Sequence, residues 1–425
     1  MREMKDSGVA WIGAVPSDFA ISSIGSLFTI MKDIAGREPE TVLSITQTGI
    51  RPKDLSSNEG QNASSYAHYQ IVNVGDFAMN HMDLLTGWID ISKYEGVTSP
   101  DYRVFTLNDK KMSADYFLRV FQYYYTNRVF FGFGQGVATL GRWRLPAINF
   151  KKIDVPVPPI LEQQRIVTAI DENVSKVDVL IANVQAQIEK LEAYKQSLIT
   201  EVVTKGLDPT VPMKDSGVEW IGNIPAHWTA NKIIRCFGVI GSGTTPTSAD
   251  DALFEGDINW IQSGDINGSV LSETRFQITR DIVEETSALK VYSAPFIVIA
   301  MYGASIGNLS ISQIDACTNQ ACCVLSKPVN GLLLEYLFYA FKPAKDYLIW
   351  RADGGGQPNI SQEKLKSLWI PIPPNEDQVV IVQHLNKKCG QIDYLIALKQ
   401  SKIEKLEQYK RSLIYEYVTG KREVS

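Results

Sequence analysis

Residues able to do chemistry are present in this chain, but not at the spacings that any one chemistry needs. The four histidines, His68, His81, His227 and His384, are scattered, without the HExxH or HxH pattern that places two imidazoles on one metal. The five cysteines, Cys236, Cys317, Cys322, Cys323 and Cys389, are odd in number and lack CxxC spacing, which argues against zinc. Cys322 and Cys323 sit in the apolar run ACCVL and read as small thiols buried in a strand. Asp250–Asp251 and Glu284–Glu285 lie in polar stretches, where solvated surface is the default, and no G-x-S-x-G nucleophile elbow occurs. Phe130, Gly132 and Gly134 match F-x-G-x-G, the methyl-donor loop of many methyltransferases. That loop requires a strand before it, a helix after it and an acidic residue some way on. Here a helical run precedes it and RWRLP follows. Gly420–Lys421 lacks the upstream glycine of a phosphate-binding loop. With no catalytic constellation, no metal site and no cofactor motif, the sequence reads as that of a binding protein.

The bulk properties agree with that class. At 425 residues the chain has length for two to three domains with sizeable cores. It is 44% hydrophobic and 21% charged, with a formal net charge of −5, so no global basic excess announces a polyanionic partner. The start, MREMKDSGVAW, has no apolar signal core, and no stretch approaches a membrane span. Reduced thiols point to the cytoplasm. The expectation is a soluble intracellular protein.

The elements that would position any site repeat. Pro156 to Thr204 matches Pro371 to Thr419 at an offset of 215, with about half the positions identical, and IEKLEAYKQSLI against IEKLEQYKRSLI is nearly a copy. Met4–Phe19 (MKDSGVAWIGAVPSDF) returns at Met213–Trp228 (MKDSGVEWIGNIPAHW) at an offset of 209, with ten of sixteen positions identical. This segment has no helical period and reads as an irregular anchor whose Trp11 and Trp220 pack onto a helix. In the longer repeat, Val174, Val177, Ile181, Val184, Ile188, Leu191, Lys195, Leu198 and Val202 alternate steps of three and four. That is the seam of a coiled coil, and it recurs at Ile392, Ile396, Ile403, Leu406 and Leu413. Only Lys195 is out of type, and Lys410 stands at its equivalent.

Between the repeats lie two unlike modules of short apolar runs punctuated by Gly, Asn and Asp, a strand-and-turn pattern. The first carries a helix over Ser113–Thr126 with Ser113 as N-cap, then the Gly-rich FGFGQGVATLGRWR. The second opens with GSGTTPTS, carries a helix near Leu332–Trp350, then the Gly-rich RADGGGQPNISQEKL. Lysine and arginine against aspartate and glutamate number 12 to 12 over residues 21–150 and 11 to 14 over 228–369. Both modules are therefore neutral to slightly acidic. The first helical repeat is followed by MKDSGVEWIG and the second by the end of the chain, so the matching copy is at the N-terminus. The repeat is circular, and residues 1–20 are expected to close it by packing where Val418–Ser425 ends. The two helices then run antiparallel. Residues 177–204 span roughly 42 Å at 1.5 Å per residue, close to the roughly 34–36 Å of one turn of B-DNA.

The paired LxEQxRIVxxID…IxKLExYKxSLIxExVTxG helices, the doubled MKDSGVxWIGxxPxxW segment and the G-x-TP…GDI style of the second module resemble the specificity subunit of type I restriction–modification systems, over essentially the whole chain. The resemblance implies an α+β protein: two globular mixed α/β target-recognition domains separated by two long antiparallel coiled-coil helices in a circular pseudo-twofold repeat. It divides the chain into residues 1–20 (completing the second repeat), 21–155 (recognition domain 1), 156–206 (central spacer), 207–228 (repeat linker), 229–370 (recognition domain 2) and 371–425 (C-terminal spacer). It implies a non-catalytic subunit whose domains each read half of a bipartite asymmetric site in double-stranded DNA, with the helices setting the gap. Two copies of a modification (methyltransferase) subunit and a restriction motor-nuclease subunit are the implied partners, with S-adenosylmethionine and ATP bound by those subunits, none here, and no membrane. Phosphates favour Arg, Lys, amides and small hydroxyls, and base edges favour Arg, Asn and Gln. On that ground Gln135, Arg142, Arg144, Arg351, Gln357 and Asn359 in the Gly-rich stretches, with Tyr302 and Ser305 in YGASIG, are the candidate DNA contacts. Lys195 and Lys410 would mark where each helix turns from its twin toward a partner. The alternative reading is a coiled-coil scaffold or adaptor with two protein-binding modules and no DNA role.

Overall fold

The computed structural model describes residues 2–39, 41–55, 63–136, 143–246, 256–303, 305–350 and 359–424. Two long helices dominate, Ile160–Lys205 of 46 residues and Asn375–Val418 of 44. Contacts divide the chain into two units, Met1–Gln185 with Ser401–Ser425, and Ala186–Gln400. The division falls inside both long helices. Each unit therefore holds one module, the start of one helix and the end of the other.

Within each unit the two helix segments run antiparallel. In the first, Asn173 donates to the Tyr417 hydroxyl at 3.2 Å, and Lys410 bonds both carboxylate oxygens of Asp178 at 2.7 and 3.0 Å. In the second, Lys399 donates to Gln187 at 2.5 Å and Lys195 bonds Asp393 at 2.6 and 2.7 Å. Lys195 and Lys410 are thus not turned away from the twin helix, as their misfit in the seam suggested. A lysine stem long enough to cross the apolar seam lets the ammonium reach a carboxylate on the neighbouring helix. Asp178 and Asp393 are themselves 215 apart, so the two bridges are one interaction used twice. Of the seam residues, Val177, Val184, Ile188, Ile392, Ile403 and Leu413 are buried, and Ile181, Leu191, Leu198, Ile396 and Leu406 are half-buried.

Each module starts and ends on an antiparallel strand pair, Ala20–Ser23 with Asp154–Val157 and Thr229–Lys232 with Trp369–Ile372. The central sheets share one strand order. In the first it is Phe28–Met31, Arg103–Leu107, Phe77–Met79, Ile89–Ile91, all antiparallel. In the second it is Phe237–Ser242, Cys322–Pro328, Phe296–Ala300, Leu309–Ser312, again antiparallel, with Val270–Leu271 added parallel at the edge. The fillings differ. The first core is a cluster of aromatic rings (Phe28, Phe77, Phe105, Phe117, Phe121), whereas the second is built on Ile297, Ile299, Cys323, Leu325 and Leu337. All five cysteines are buried free thiols.

The helix of the first module, Ala114–Thr126, is capped by the Ser113 hydroxyl, which accepts from the Tyr116 amide at 3.2 Å. The single helix expected near Leu332–Trp350 is two, Leu334–Phe341 and Ala344–Trp350, because Pro343 lacks an amide hydrogen and its ring clashes with the preceding turn. The repeated MKDSGV segment is more regular than its composition implied. Met4–Asp6 pairs with Ala14–Pro16 and Met213–Asp215 with Asn223–Pro225, forming two short hairpins. Trp11 meets Phe133 edge-on at 5.1 Å, and Trp220 lies 6.4 Å from Tyr347 on the second module's split helix. The N-terminal segment packs beside the end of the second long helix. Tyr415 and Lys421 both donate to the Ile12 carbonyl, at 3.0 and 2.8 Å, and the Arg2 amide reaches Glu423 at 3.2 Å.

Two buried glutamines join the modules to the helices. Gln163 accepts from the Ser113 amide at 2.8 Å and donates to the Pro158 carbonyl at 3.0 Å, and Gln378 does the same with Leu333 at 2.9 Å and Pro373 at 3.0 Å. Removing either leaves a buried amide and a carbonyl unpaired, a cost of about 1–3 kcal/mol. The Lys195–Asp393 pair is half in solvent and contributes about 1 kcal/mol or less. Gln163→Leu and Gln378→Leu are therefore expected to lower the urea midpoint clearly, and Lys195→Met only slightly. Equal shifts for the three variants would contradict this ranking.

Candidate nucleic-acid interface

In the first module the chain leaves the Ala114–Thr126 helix through Arg128, in the left-handed region at φ 59°, and makes the short helix Val129–Gly132. Gly134 follows because Trp143 packs onto it: a Cβ there would strike the indole and, at 2.9 Å, Leu84. Trp143 stacks on Phe131 at 5.2 Å and donates its indole N–H to the Phe131 carbonyl at 2.9 Å. Immediately beyond, Gln135 and Arg144 form an antiparallel bridge, each amide donating to the other's carbonyl, at 2.8 and 3.1 Å. Both side chains are exposed. Two of the candidate DNA contacts are thereby brought side by side at the neck of the Gly-rich segment.

The second module has an isolated bridge of its own, between a loop and its Gly-rich stretch. Tyr302 and Asn359 form an antiparallel bridge, reinforced by the Ile360 amide donating to the Met301 carbonyl at 2.8 Å. Ser305 lies in the adjoining turn, where its carbonyl accepts from the Asn308 amide at 2.9 Å. That turn is held by Lys345, whose ammonium donates to Asn308 Oδ1 at 2.8 Å. Gly307, at φ 74°, packs against the Lys345 stem, which a Cβ would approach to 2.9 Å. Asn359 is exposed, whereas Tyr302 is half-buried and its phenol pKa is raised by burial. The remaining candidates, Arg142, Arg351 and Gln357, lie outside the described residues.

Sequence reading missed the groups beneath the first bridge. Arg103, at the start of a strand, is 4% exposed. It donates to the Leu145 carbonyl at 2.8 Å and covers the Phe150 ring at 4.6 Å. The Leu145 amide donates to the His81 carbonyl at 2.9 Å. Nothing in DYRVFTL distinguishes an arginine that turns inward from one that faces water. Burial, and then the charges of Arg103 and Arg144, push the His81 imidazole down to about 3. Among the described residues, no group of three or more His, Cys, Asp or Glu could hold a metal ion, and no helix is long and apolar enough to cross a membrane.

The two units thus share a strand order, and an isolated bridge joins Gln135 to Arg144 in one and Tyr302 to Asn359 in the other. Residues 234–408 match the family model described as the type I restriction modification DNA specificity domain. Over nearly its full length the chain is similar to the putative type I restriction enzyme MjaX specificity subunit of Methanocaldococcus jannaschii, at 24% identity over 434 residues, 96% of this chain and 95% of that protein. The MjaIX specificity subunit of the same organism is 31% identical over 193 residues, 44% of this chain and 43% of that protein. A chain solved in work on complex assembly and conformational transition of the type I R-M system has the same fold, with a TM-score of 0.69 at 16% identity over 95% of this chain and 98% of that one. Over nearly its whole length the chain is thus similar to type I restriction–modification specificity subunits.

The His81 environment has a pH consequence. Unfolded, the imidazole titrates near 6.5; folded, it stays neutral down to about pH 3. The unfolded chain thus binds more protons between these values, so stability complete above pH 6.5 is lost as pH falls toward 3. His81→Phe is expected to flatten the decline in melting temperature between pH 7 and pH 4. An unchanged slope in the variant would exclude His81 as its source.

Proposed function

We infer that each module reads one half of a bipartite, asymmetric site in double-stranded DNA, and that the two long helices set the gap between the halves. The observation that carries this reading is the pairing of one frame with two fillings. Strand order, terminal strand pairs, glutamine clasps and lysine bridges are the same in both units, while the bridged necks carry Gln135 and Arg144 in one and Tyr302 and Asn359 in the other. A reader of two different half-sites needs that combination: equal geometry with unequal side chains. Arg142, Arg351, Gln357 and Ser305 complete the proposed contact set.

The helices also carry repeated exposed apolar residues. Val179 and Leu180 recur as Tyr394 and Leu395, and Tyr194 recurs as Tyr409, all exposed. Buried apolar residues are explained by the seam; exposed ones at repeated positions fit two equivalent docking faces. We assign these to two copies of the modification subunit, which would bind S-adenosylmethionine and methylate an adenine in each half-site. A restriction motor-nuclease subunit using ATP would complete the assembly. The neutral-to-acidic modules then contribute side-chain readout, with partner subunits supplying most of the attraction to phosphate.

Mapping methylated adenines in the host genome identifies the two half-sites and their gap. Inserting four residues, about one helical turn, after Thr204 is expected to change the gap and leave both half-site sequences intact; altered half-sites would exclude the ruler. For docking, Leu180→Glu and Leu395→Glu are each expected to give complexes with one modification subunit by native mass measurement, and the double variant none. Full loading of the double variant would move the docking faces elsewhere. Failure of the assembled complex to bind any bipartite duplex would favour the protein-scaffold alternative.

A further inference from the structure

Arg103 is the residue that the fold alone explains least. Arginine is rarely buried without a partner, and moving a charge from water into a protein interior costs several kcal/mol. Here the guanidinium is 4% exposed, and among the described residues no carboxylate lies within ion-pair distance of it. One arm donates to the Leu145 carbonyl, the face rests on Phe150, and Nη1 is buried without a hydrogen-bond partner. Burial pushes its pKa down to about 10, so it remains a cation at neutral pH. His81 Nδ1, close by, is likewise buried and unpaired. A methionine or leucine would fill the same space without the desolvation cost.

What the arginine holds is the exit of the Gly-rich segment. Trp143, Arg144 and Leu145 are fixed in succession: the Trp143 carbonyl accepts from the Leu84 amide at 3.2 Å, Arg144 is bridged to Gln135, and Leu145 bonds His81 and Arg103. Arg103 is the side chain that holds Leu145, while Trp143 is also fixed by its own indole on Phe131 and the other anchors are main-chain groups. Arg103 lies under an exposed arginine and leaves its own charge unmatched. A base-edge acceptor arriving at Arg144 would meet both charges across a medium less screening than water. The corresponding strand of the second module, Cys322–Pro328, contains no arginine.

We propose that Arg103 is a positioning residue for the first module alone, holding Arg144 at the neck of the Gly-rich segment so that it engages a base-edge acceptor in one half-site of duplex DNA, and lending its unneutralised charge to that contact. This rests on the reading that the modules bind half-sites.

The test uses the full chain assembled with its modification subunits and a duplex carrying the mapped bipartite site, with control duplexes in which one or the other half-site is scrambled. Arg103→Met should reduce discrimination at one half-site about tenfold, within the range for loss of one specific arginine, and leave the other half-site within twofold. Arg103→Lys, which keeps the charge, should recover part of the loss and serves as the probe if the methionine variant does not assemble. Arg103→Met combined with Arg144→Gln should be no worse than Arg144→Gln alone, because both act through one contact. Multiplying losses, equal losses at both half-sites, or unchanged discrimination in Arg103→Met and Arg103→Lys would each overturn the proposal while leaving half-site reading intact. If the unmodified complex discriminates neither half-site, the reading beneath it falls as well.

Discussion

Each module is fastened to the helix pair through a buried phenol, and the frame depends on that contact. The Tyr116 hydroxyl lies 3.0 Å from the Pro156 carbonyl and 2.9 Å from that of Val418; the Tyr336 hydroxyl lies 2.9 Å from Pro371 and 3.5 Å from Val203. In both cases one carbonyl belongs to the strand that leaves the module and the other to the last turn of the opposite long helix. The final carbonyls of a helix have no partner within it. A phenol from the module reaches those orphans at the place where a helix from the distant part of the chain comes to rest. Both rings are fully buried, and burial raises both pKa values well above the ordinary tyrosine value, so the groups stay protonated and able to donate.

The energetic weights differ along the frame. The lysine–aspartate bridges between the helices are half in solvent, and pairs of that kind stabilise little. They mark the register, since each lysine meets an aspartate of the neighbouring helix at the equivalent level. Stability comes from the apolar seam and from the buried phenols and glutamines, whose loss would strand main-chain groups away from water. The helices are therefore held together by the apolar seam, with the charge pairs marking its register, and the modules are attached by buried hydrogen bonds.

Much of this was legible in the sequence, for reasons that are themselves physical. The helices were readable because a seam of Val, Ile and Leu at alternating steps of three and four has one stable use, and because it occurs twice. Packing of the N-terminal segment beside the end of the second long helix was expected from the order of the copies. The likeness of the two modules was not readable, because a four-stranded antiparallel order can be filled by Phe77 and Phe105 or by Ile299 and Cys323 with equal success. The split of the second helix was written in Pro343 and overlooked among its apolar neighbours. The pairing of Gln135 with Arg144, and of Tyr302 with Asn359, depends on main-chain bonds that leave no compositional trace. Arg103 was invisible because its inward direction is decided by Phe150 and Leu145, more than forty residues away.

The clasps also explain how the two modules can differ so far in sequence and still dock alike. Gln163 bonds the amide of Ser113, a capping residue, and Gln378 bonds the amide of Leu333, which caps nothing with its side chain. What the helix requires of the module is an N–H at the start of a short helix, and nearly every residue type supplies one. The phenols complete the rule from the other side, since they bond carbonyls and not side chains. Only the tyrosine itself is demanded of each module. Attachment through main-chain groups leaves the strands and the bridged segments free to vary in sequence, while the helix ends hold each module in the same way.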